Sequence, residues 1–518
     1  MNQKVEDIFE YHEQTKHSYS RYARSLGYMD WANQPDPYRF YQGAPTRKLP
    51  IMIEAKTPAY HDLFTDTLLA RELNIDTLSQ FLQFSLALAA IKTDGFNEWA
   101  LRCNASSGNL HPSEGYLILP PCHDISTQTT LTHYAPKNHS LEILGTFESD
   151  IWNHLPKDSF FIAISSILYR EIWKYGERAF RYCLLDAGHA LRALQISAQT
   201  LGWHHQLIGA ISDTQISKIF GFDQPQRFNE NEKEAPEMLL LISSQKPENL
   251  PEIAPLLQNL FPNVETIANH IAQNYQSWPL IDIIEKATHA SIQKTKTQKI
   301  SNLLRECKKE AKEVILERRS AQVMDQHKSN ITYKEFMIML ESTRECFSGL
   351  DNAINLIIFA HRITGLKEGL YIYIREATFK EKLQQSMHPS FSWEKRDENL
   401  YLLKRGDFKT SARNISCAQA IASDSAFSLG MLCHFHDEIS QKGTHRYKEL
   451  YWECGAIGQQ LYLEATSLGL SATGIGCFLD DIFHTLLGLK SDTFQSLYHF
   501  TIGRGIKDER LMSKKPYN

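Results

Sequence analysis

Apolar residues along this chain follow two different spacings. Positions three and four apart indicate helices, and short uninterrupted apolar runs are typical of buried strands. The first pattern predicts helices over 78–91, 178–201, 354–360 and 447–468. The second predicts strands over 115–119, 159–165, 238–242, 369–374 and 498–502. Helices interleaved with few, short strands predict a layered α+β fold.

The second half of the chain repeats the first imperfectly. Residues 188–222 align with 455–489 at an offset of 267 positions and without a gap. Each copy predicts a long helix, a Leu-Gly stop, a loop with glycine, an Asp that caps the next helix, and a short helix ending in Gly. Two long copies indicate a fused pseudo-dimer rather than a solenoid, which needs three or more shorter units. The identities used are Gly188 with Gly455, Leu194 with Leu461, Ala198 with Ala465, Leu201-Gly202 with Leu468-Gly469, Gly209 with Gly476, Asp213 with Asp480, and Gly221 with Gly488.

The repeat divides the chain into four parts. Residues 1–60 are rich in aromatic residues and proline, which predicts an extended segment wrapped on the domains rather than regular elements. Residues 61–245 form the first domain and 301–518 the second. Residues 246–300 are polar, contain five prolines and are predicted to link the two copies.

Composition narrows the class of protein. A hydrophobic fraction of 42% and a charged fraction of 22% are ordinary for a globular protein. The net charge of −5 argues against nucleic acid or an anionic membrane as a partner. Nine scattered cysteines, no CxxC pair, no signal peptide and no membrane-length apolar stretch indicate a cytoplasmic protein. The sequence His434-Phe435-His436 has poor spacing for metal ligands, and we predict no metal site.

Chemistry-bearing residues in the first copy concentrate in one loop, 102–112. Two hydroxyl groups, two amides and a glycine within six residues offer many hydrogen-bond groups and let the backbone approach a ligand. A capped turn before the next strand is the alternative reading. The residues concerned are Asn104, Ser106, Ser107, Gly108 and Asn109.

The second copy carries three further groups of candidate ligand residues. Arg318, Arg319 and Ser320 end a helix and suit a phosphate, because guanidinium groups form charge-assisted hydrogen bonds with phosphate oxygens. The Gly-x-Gly sequence after the long helix can present backbone N–H groups to an acceptor. A basic cluster follows the last strand. The second and third groups are Thr473, Gly474, Ile475 and Gly476, and Arg504, Lys507 and Arg510.

These motifs, in this order, resemble the nitroreductase-like FMN flavoprotein family. Residues 22–28, 104–112 and 173–182 further resemble its SagB-type dehydrogenase branch, here in tandem-duplicated form. The resemblance implies two nitroreductase-like α/β/α domains that form an intramolecular pseudo-dimer with FMN between them. It also implies that Arg318–Ser320 and the terminal basic residues hold phosphate and ribityl, that 473–476 lie by the flavin N5, and that 104–109 come from the other copy.

The two copies look complementary. The second has Phe347-Ser348-Gly349-Leu350-Asp351 in place of the Ser-Ser-Gly-Asn loop, and the first has Lys16-His17-Ser18 with Arg21 in place of Arg-Arg-Ser. One competent FMN site per chain and one degenerate site are therefore expected. A weaker second FMN at Lys16–Ser18 is the alternative.

The resemblance also implies a function. Lys174 and Tyr175 resemble a Lys-Tyr pair that acts as a base in azoline-oxidising relatives, although a plain helix face with an interface tyrosine is equally compatible. The first hypothesis is an FMN-dependent dehydrogenase that acts on a small or peptidic organic substrate. The alternatives are an NAD(P)H-dependent nitro or quinone reductase and a flavin-loaded, non-catalytic scaffold subunit. Because the fused pair supplies both halves of a site, either a monomer or a homodimer is allowed.

Overall fold

The structure, a computed structural model, describes residues 3–65, 67–122, 124–246, 253–257, 260, 264–289, 305–344 and 349–517. Its helices are α1 (Gln3–Gln14), α2 (Ile75–Gln83), α3 (Leu168–Tyr175), α4 (Ala179–Gln199), α5 (Asp213–Phe220), α6 (Ile253–Leu257), α7 (Pro279–Thr288), α8 (Ala311–Glu317), α9 (Tyr333–Ser342), α10 (Lys380–Ser386), α11 (Lys409–Ile415), α12 (Ile421–Asp424), α13 (Phe435–Lys442), α14 (Arg446–Ser467) and α15 (Asp480–Leu487).

Its strands are β1 (Tyr41–Gln42), β2 (Thr46–Lys48), β3 (Leu88–Thr93), β4 (Glu98–Arg102), β5 (Ser113–Leu119), β6 (Thr129–Ala135), β7 (Ser140–Phe147), β8 (Phe160–Ile167), β9 (His204–Leu207), β10 (Glu234–Ser243), β11 (Ile267–Ala268), β12 (Ile331–Thr332), β13 (Ile354–Ala360), β14 (Ile363–Thr364), β15 (Gly369–Tyr373), β16 (Glu394–Lys395), β17 (Leu400–Arg405), β18 (Phe427–Cys433), β19 (Ser471–Ile475), β20 (Gln495–Gly503) and β21 (Met512–Lys514).

Each copy contains one seven-stranded antiparallel sheet, and six of the seven strands follow the same order in both. The edge strand differs, because β2 precedes the rest of its sheet in the chain and β16 lies between β15 and β17. The orders are β2-β7-β6-β5-β8-β10-β9 and β16-β17-β15-β13-β18-β20-β19. Buried residues of both sheets, of α4 and of α14 form one shared core. A smaller core covers the opposite face of each sheet. The prediction of a layered α+β fold made twice in tandem is confirmed.

Two sequence-based predictions of helix are wrong. The segment 354–360 is β13, which lies between β15 and β18 and is buried on both faces, and a short apolar run of that kind has no periodicity to separate it from a helix. In 78–91, helix α2 ends at Gln83 and β3 begins at Leu88. Pairing of β3 with β4 and β21 outweighs the helical spacing of its residues.

The predicted N-terminal and linking segments both contain regular elements. Residues 1–60 were expected to lack them, yet α1 forms an amphipathic helix that buries Val5, Ile8 and Tyr11. Within 246–300, β11 pairs with β1 and α7 packs on α1. Partners distant in sequence order these short elements, which explains why local proline content does not reveal them. The division into four parts stays a prediction.

The long helices α4 and α14 pack against each other at the junction of the copies. Each short helix that follows begins with an aspartate, which was expected to be its cap. The cap of α5 is instead Ser212, and Leu479 precedes α15. The aspartates reach the other copy: Oδ1 of Asp213 lies 3.0 Å from Nζ of Lys448, and Oδ1 of Asp480 lies 3.1 Å from a guanidinium nitrogen of Arg181. The two ion pairs join residues at equivalent repeat positions, as expected of a pseudo-twofold interface.

A three-stranded sheet joins the segment after the second copy's main sheet to the first copy. Strand β21 of the second copy pairs with β3 of the first, and β3 also pairs with β4. This pairing carries the segment after β20 across to the first copy. No helix in the part of the chain that the structure describes is long and apolar enough to span a membrane.

Candidate active site at the junction of the two copies

A cavity of about 770 Å³ lies between the copies. Small-molecule sites commonly occupy about 300–1,000 Å³. The cavity brings together three of the predicted motifs, 104–109, 318–320 and 473–476, with Lys507 and Tyr175. Further lining residues that the sequence did not single out include Lys92, Trp99, Tyr182, Asp186, Tyr462, Cys477 and Tyr498.

Arg318 links the two copies directly. It follows the last residue of α8 and is only 5% exposed. Its guanidinium donates to the carbonyl of Arg102 (2.8 Å) and to that of Cys103 (3.1 Å), immediately before the polar loop of the first copy. Arg319 donates to carbonyls at the end of α8. Within the described ranges, neither arginine forms an ion pair with a carboxylate.

One end of the cavity is strongly basic. Burial, and then Arg318, lower the pKa of Arg319 to about 10. Burial, Arg319 and Lys507 lower the pKa of Lys92. Mutual repulsion among these cations disfavours their charged forms, and an anion among them would relieve it. Glu317 and Asp508 also line the cavity, but among the described residues neither forms an ion pair with Arg318 or Arg319, and this clustering of cations fits a phosphate group.

Tyr462 of α14 joins the Arg318–Ser320 motif to the glycine-bearing segment 473–476. Its hydroxyl accepts from the N–H of Gly474 (2.9 Å) and shares a hydrogen bond with Oγ of Ser320 (2.8 Å). Residues 473–475 belong to strand β19 rather than to the expected loop. Aromatic rings fill the space beside both glycines: an ideal Cβ on Gly474 would lie 1.8 Å from Oη of Tyr498. A side chain at Gly474 would therefore clash.

Asp186 of α4 holds the polar loop of the first copy through hydrogen bonds. The carboxylate accepts from the backbone N–H of Ser107 (2.9 Å) and from its hydroxyl (2.9 Å). Gln459 of the second copy accepts from the N–H of Ala105 (3.1 Å). The side-chain oxygen of Asn104, by contrast, is buried and has no hydrogen-bond partner among the described residues. An unpartnered buried acceptor in the cavity wall is consistent with a ligand that donates to it.

The Lys174-Tyr175 pair lies against this loop. An ideal Cβ on Gly108, which has φ +58°, would lie 2.8 Å from Oη of Tyr175 and 3.0 Å from Nζ of Lys174. Only Tyr175 of the two lines the cavity. Burial, and then Glu171, raise the pKa of Tyr175, so its phenol stays protonated and can donate a proton or a hydrogen bond.

Two buried carboxyl groups lie behind Tyr175. Burial raises the pKa of Asp186 to about 7, against the opposing effect of the hydrogen bonds from Ser106 and Ser107. Burial, and then Asp186, raise the pKa of Glu171, whose two oxygens are buried without hydrogen-bond partners. Protons are therefore held close to the cavity near neutral pH, and Asp186 itself lines it.

Other predicted residues lie elsewhere. Arg504 and Arg510 are exposed and do not line the cavity; Arg510 pairs with Asp508 (2.7 Å). Lys16 is paired with Glu13 (2.7 Å) and Asp481 (3.3 Å), unlike the arginines of the basic end. The segment Lys16–Ser18, expected to replace Arg-Arg-Ser in a second site, lies beside the start of α15.

Part of the loop expected to be degenerate falls outside the described residues. Phe347 and Ser348 of the degenerate second loop lie outside them. No group of three or more metal-ligating side chains occurs among the residues that are described.

The sequence gives no signal for the lining residues that were missed. Lys92 falls in a segment with helical spacing. Asp186 and Tyr462 each lie on a long buried helix among several other buried polar residues, and no local motif distinguishes them. Their role appears only when α4, α14 and β3 are brought together.

The two sheets and the paired long helices define a duplicated α+β fold, and the described residues enclose a cavity between the copies. The sequence profile described as "Nitroreductase family" matches residues 88–229 and 369–504, more than half of the chain. The chain therefore belongs to the nitroreductase family, and both copies are nitroreductase domains. Membership indicates an oxidoreductase, and flavin is the cofactor generally bound in this family.

One solved structure agrees with the fold of both copies. A protein from Anabaena variabilis described as a nitroreductase is 22% identical, with a TM-score of 0.69 over 96% of this chain and 99% of that one. The E. coli microcin synthetase complex McbBCD with truncated pro-MccB17 bound is 16% identical, with a TM-score of 0.29 over 48% of this chain and 95% of that one. A Ralstonia eutropha protein described as a nitroreductase is 14% identical, with a TM-score of 0.29 over 42% and 95%. No curated protein matches the chain.

Proposed function

We propose that the chain is an FMN-dependent oxidoreductase with one composite FMN site per chain. The basic end of the cavity carries this proposal: Arg318, Arg319, Lys92 and Lys507 converge there, and the two arginines have no ion-paired carboxylate among the described residues. These residues would hold the phosphate. The cavity volume and the unpartnered oxygen of Asn104 fit the rest of a mononucleotide.

When bound, FMN would supply two-electron redox chemistry. The chain's own contribution is to bind and orient it and to hold protons. Gly474 and Gly476 make room for the rings of Tyr498 and Tyr182, which line the cavity. Tyr175 and Asp186 would donate or accept protons in the cavity wall. Proton transfer by a side chain is most effective when its pKa lies near the operating pH. The raised pKa of Asp186, about 7, suits it to this role.

We further propose that the activity is of the SagB-type dehydrogenase kind, on a small or peptidic organic substrate. The segments that resemble this branch lie together: the carbonyl of Arg24 accepts from the N–H of Glu177 (2.9 Å), and the Lys174-Tyr175 pair contacts the loop at Gly108. Reduction of FMN by NAD(P)H is the competing function. Anaerobic bleaching of bound FMN by NAD(P)H would support the reductase, and no bleaching would favour the dehydrogenase.

FMN stoichiometry tests the composite site. Fluorescence titration should give one FMN per chain, and two would contradict a degenerate second site. Arg318→Ala with Arg319→Ala should weaken binding about 100-fold or more, because each lost charge-assisted interaction costs about 1.5–3 kcal/mol. Arg47→Ala with Lys48→Ala, on the exposed strand β2, is the matched control. Unchanged affinity in the Arg318 and Arg319 variant would place the site elsewhere.

A further inference from the structure

Two thiols meet at the wall of the cavity. Sγ of Cys417 and Sγ of Cys477 lie 2.6 Å apart, both side chains are half-buried, and Cys477 lines the cavity beside Gly476. We propose that Cys417 and Cys477 are a redox-active dithiol that delivers an electron pair to the FMN of this site. The inference rests on the proposed FMN site and adds an electron donor for an oxidoreductase that works in the reductive direction, in which reduced FMN passes the electron pair to an organic substrate. It competes with the SagB-type dehydrogenase, in which the substrate itself would reduce FMN.

The backbone brings the two sulfurs together. Cys417 follows α11 and has φ +53°, and Ala418 has φ +61°. Two successive non-glycine residues in the left-handed region are uncommon and occur where surrounding structure enforces them. The loop before α15 is joined to this turn: the N–H of Leu479 donates to the carbonyl of Ile415 (2.7 Å), and the side chain of Gln419 donates to the carbonyl of Cys477 (3.4 Å).

His17 activates one thiol. Its Nδ1 accepts from the N–H of Ala23 (3.0 Å), so in the neutral ring Nε2 carries the proton and can donate to Cys477. The hydrogen bond that joins the two sulfurs, then that with His17, and the charge of Arg178 lower the pKa of Cys477. The hydrogen bond to Cys477, and then burial, raise the pKa of Cys417. A thiolate beside a protonated thiol is the arrangement of reactive dithiols.

The redox step balances. An S–S bond forms between the two sulfurs and the S–H bond of Cys417 breaks, which releases two electrons and one proton. Two-electron reduction of FMN consumes the same two electrons and takes up the proton. A disulfide bond is about 2.05 Å long, so the sulfurs need to close by about 0.6 Å. An external dithiol would restore both thiols by thiol–disulfide exchange, which the half-exposed position of the pair permits.

The test uses the full chain under anaerobic conditions. Protein is reduced, freed of reductant and mixed with one equivalent of FMN; flavin absorbance and alkylated cysteines are then measured. Wild type should bleach the flavin and lose two thiols per FMN, with peptide mapping assigning the new disulfide to Cys417 and Cys477. Cys417→Ser and Cys477→Ser should bind FMN and leave it oxidised. Cys307→Ser, a half-buried cysteine that does not line the cavity, should behave as wild type.

The possible failures are distinguishable. Bound FMN that stays oxidised in wild type while both thiols remain free for alkylation overturns the dithiol alone. FMN that fails to co-elute with the protein overturns the proposed function and, with it, the dithiol. Bleaching that persists in both serine variants overturns the assignment to these two cysteines.

Discussion

Gly188 and Gly455 contact each other where the two copies meet, and the contact is reciprocal. An ideal Cβ on Gly188 would lie 2.9 Å from Cα of Gly455, and one on Gly455 would lie 2.9 Å from Cα of Gly188. The same added atoms would lie 2.3 Å from the carbonyl oxygen of Trp452 and 2.1 Å from that of Leu185. The helices α4 and α14 can therefore pack this closely only with glycine at both positions.

Gly188→Ala and Gly455→Ala should each lower the stability of the protein. The added methyl group meets backbone, which cannot rotate away, so we expect a cost of about 3 kcal/mol, at the upper end of ordinary overpacking. Thermal unfolding measures it. Gly115→Ala is the matched control, because its Cβ would meet only the movable Cδ1 of Leu86, at 2.6 Å. Equal losses in all three variants would contradict the argument.

Lys92→Met should weaken FMN binding about tenfold. The ammonium group belongs to the basic end of the cavity, and one lost charge-assisted contact corresponds to at least about 1.5 kcal/mol. Raised salt should weaken FMN binding less in the variant than in wild type. Lys48→Met, exposed on β2, serves as the control and should bind FMN normally. Wild-type affinity in Lys92→Met would remove this residue from the site.

Tyr462→Phe should weaken the connection between the Arg318–Ser320 motif and the segment 473–476. The variant loses the hydroxyl that joins Ser320 to Gly474 and leaves two partners unsatisfied, at about 1–3 kcal/mol each. Both the unfolding temperature and the FMN affinity should fall. Tyr371→Phe removes a hydroxyl that donates to the carbonyl of Lys367, away from the cavity, and should leave FMN affinity unchanged. Normal FMN affinity in Tyr462→Phe would show that this bridge does not shape the site.

Asp186→Asn should change how stability depends on pH. The folded-state pKa of Asp186 is raised to about 7 by burial, against about 3.9 for an unfolded aspartate. Its contribution to stability is therefore complete below about pH 4 and is lost as the pH rises through about 7. The unfolding free energy of wild type minus that of the variant should fall by on the order of 4 kcal/mol between about pH 4 and 8.

Denaturant titrations at a series of pH values measure this difference. Asp76→Asn, an exposed carboxyl in the first turn of α2, provides the control and should follow wild type. A constant difference between wild type and Asp186→Asn across the range would contradict a protonated Asp186.

Arg504→Ala and Arg510→Ala should leave FMN affinity within about twofold of wild type. Both side chains are exposed and outside the cavity, and surface charges at a distance are screened by salt. Lys507→Ala, which does line the cavity, is the positive comparison and should weaken binding. A tenfold loss in either arginine variant would mean that the terminal segment rearranges when FMN binds.

Much of the architecture could be predicted because the residues shared by the two copies include glycines with strict geometric roles. Gly221 and Gly488, at equivalent positions, both end their helices in the left-handed conformation that favours glycine. The motifs that line the cavity could also be recognised in the sequence. Arginine and serine commonly bind phosphate, and glycine allows a ligand or another side chain to approach the backbone closely. Strand β13 and helix α1 were not, because their states depend on partners remote in the chain.

The sequence by itself therefore determined a duplicated α+β chain and most of the candidate ligand residues. Only the tertiary structure decided which of them share a cavity. Arg318 meets the carbonyl of Arg102 from 216 positions away, and Cys477 meets Cys417 from 60 positions away. The first contact depends on how the two copies pack through α4 and α14, and the second on how the loop before α15 joins the turn after α11. Local spacing in the sequence indicates neither.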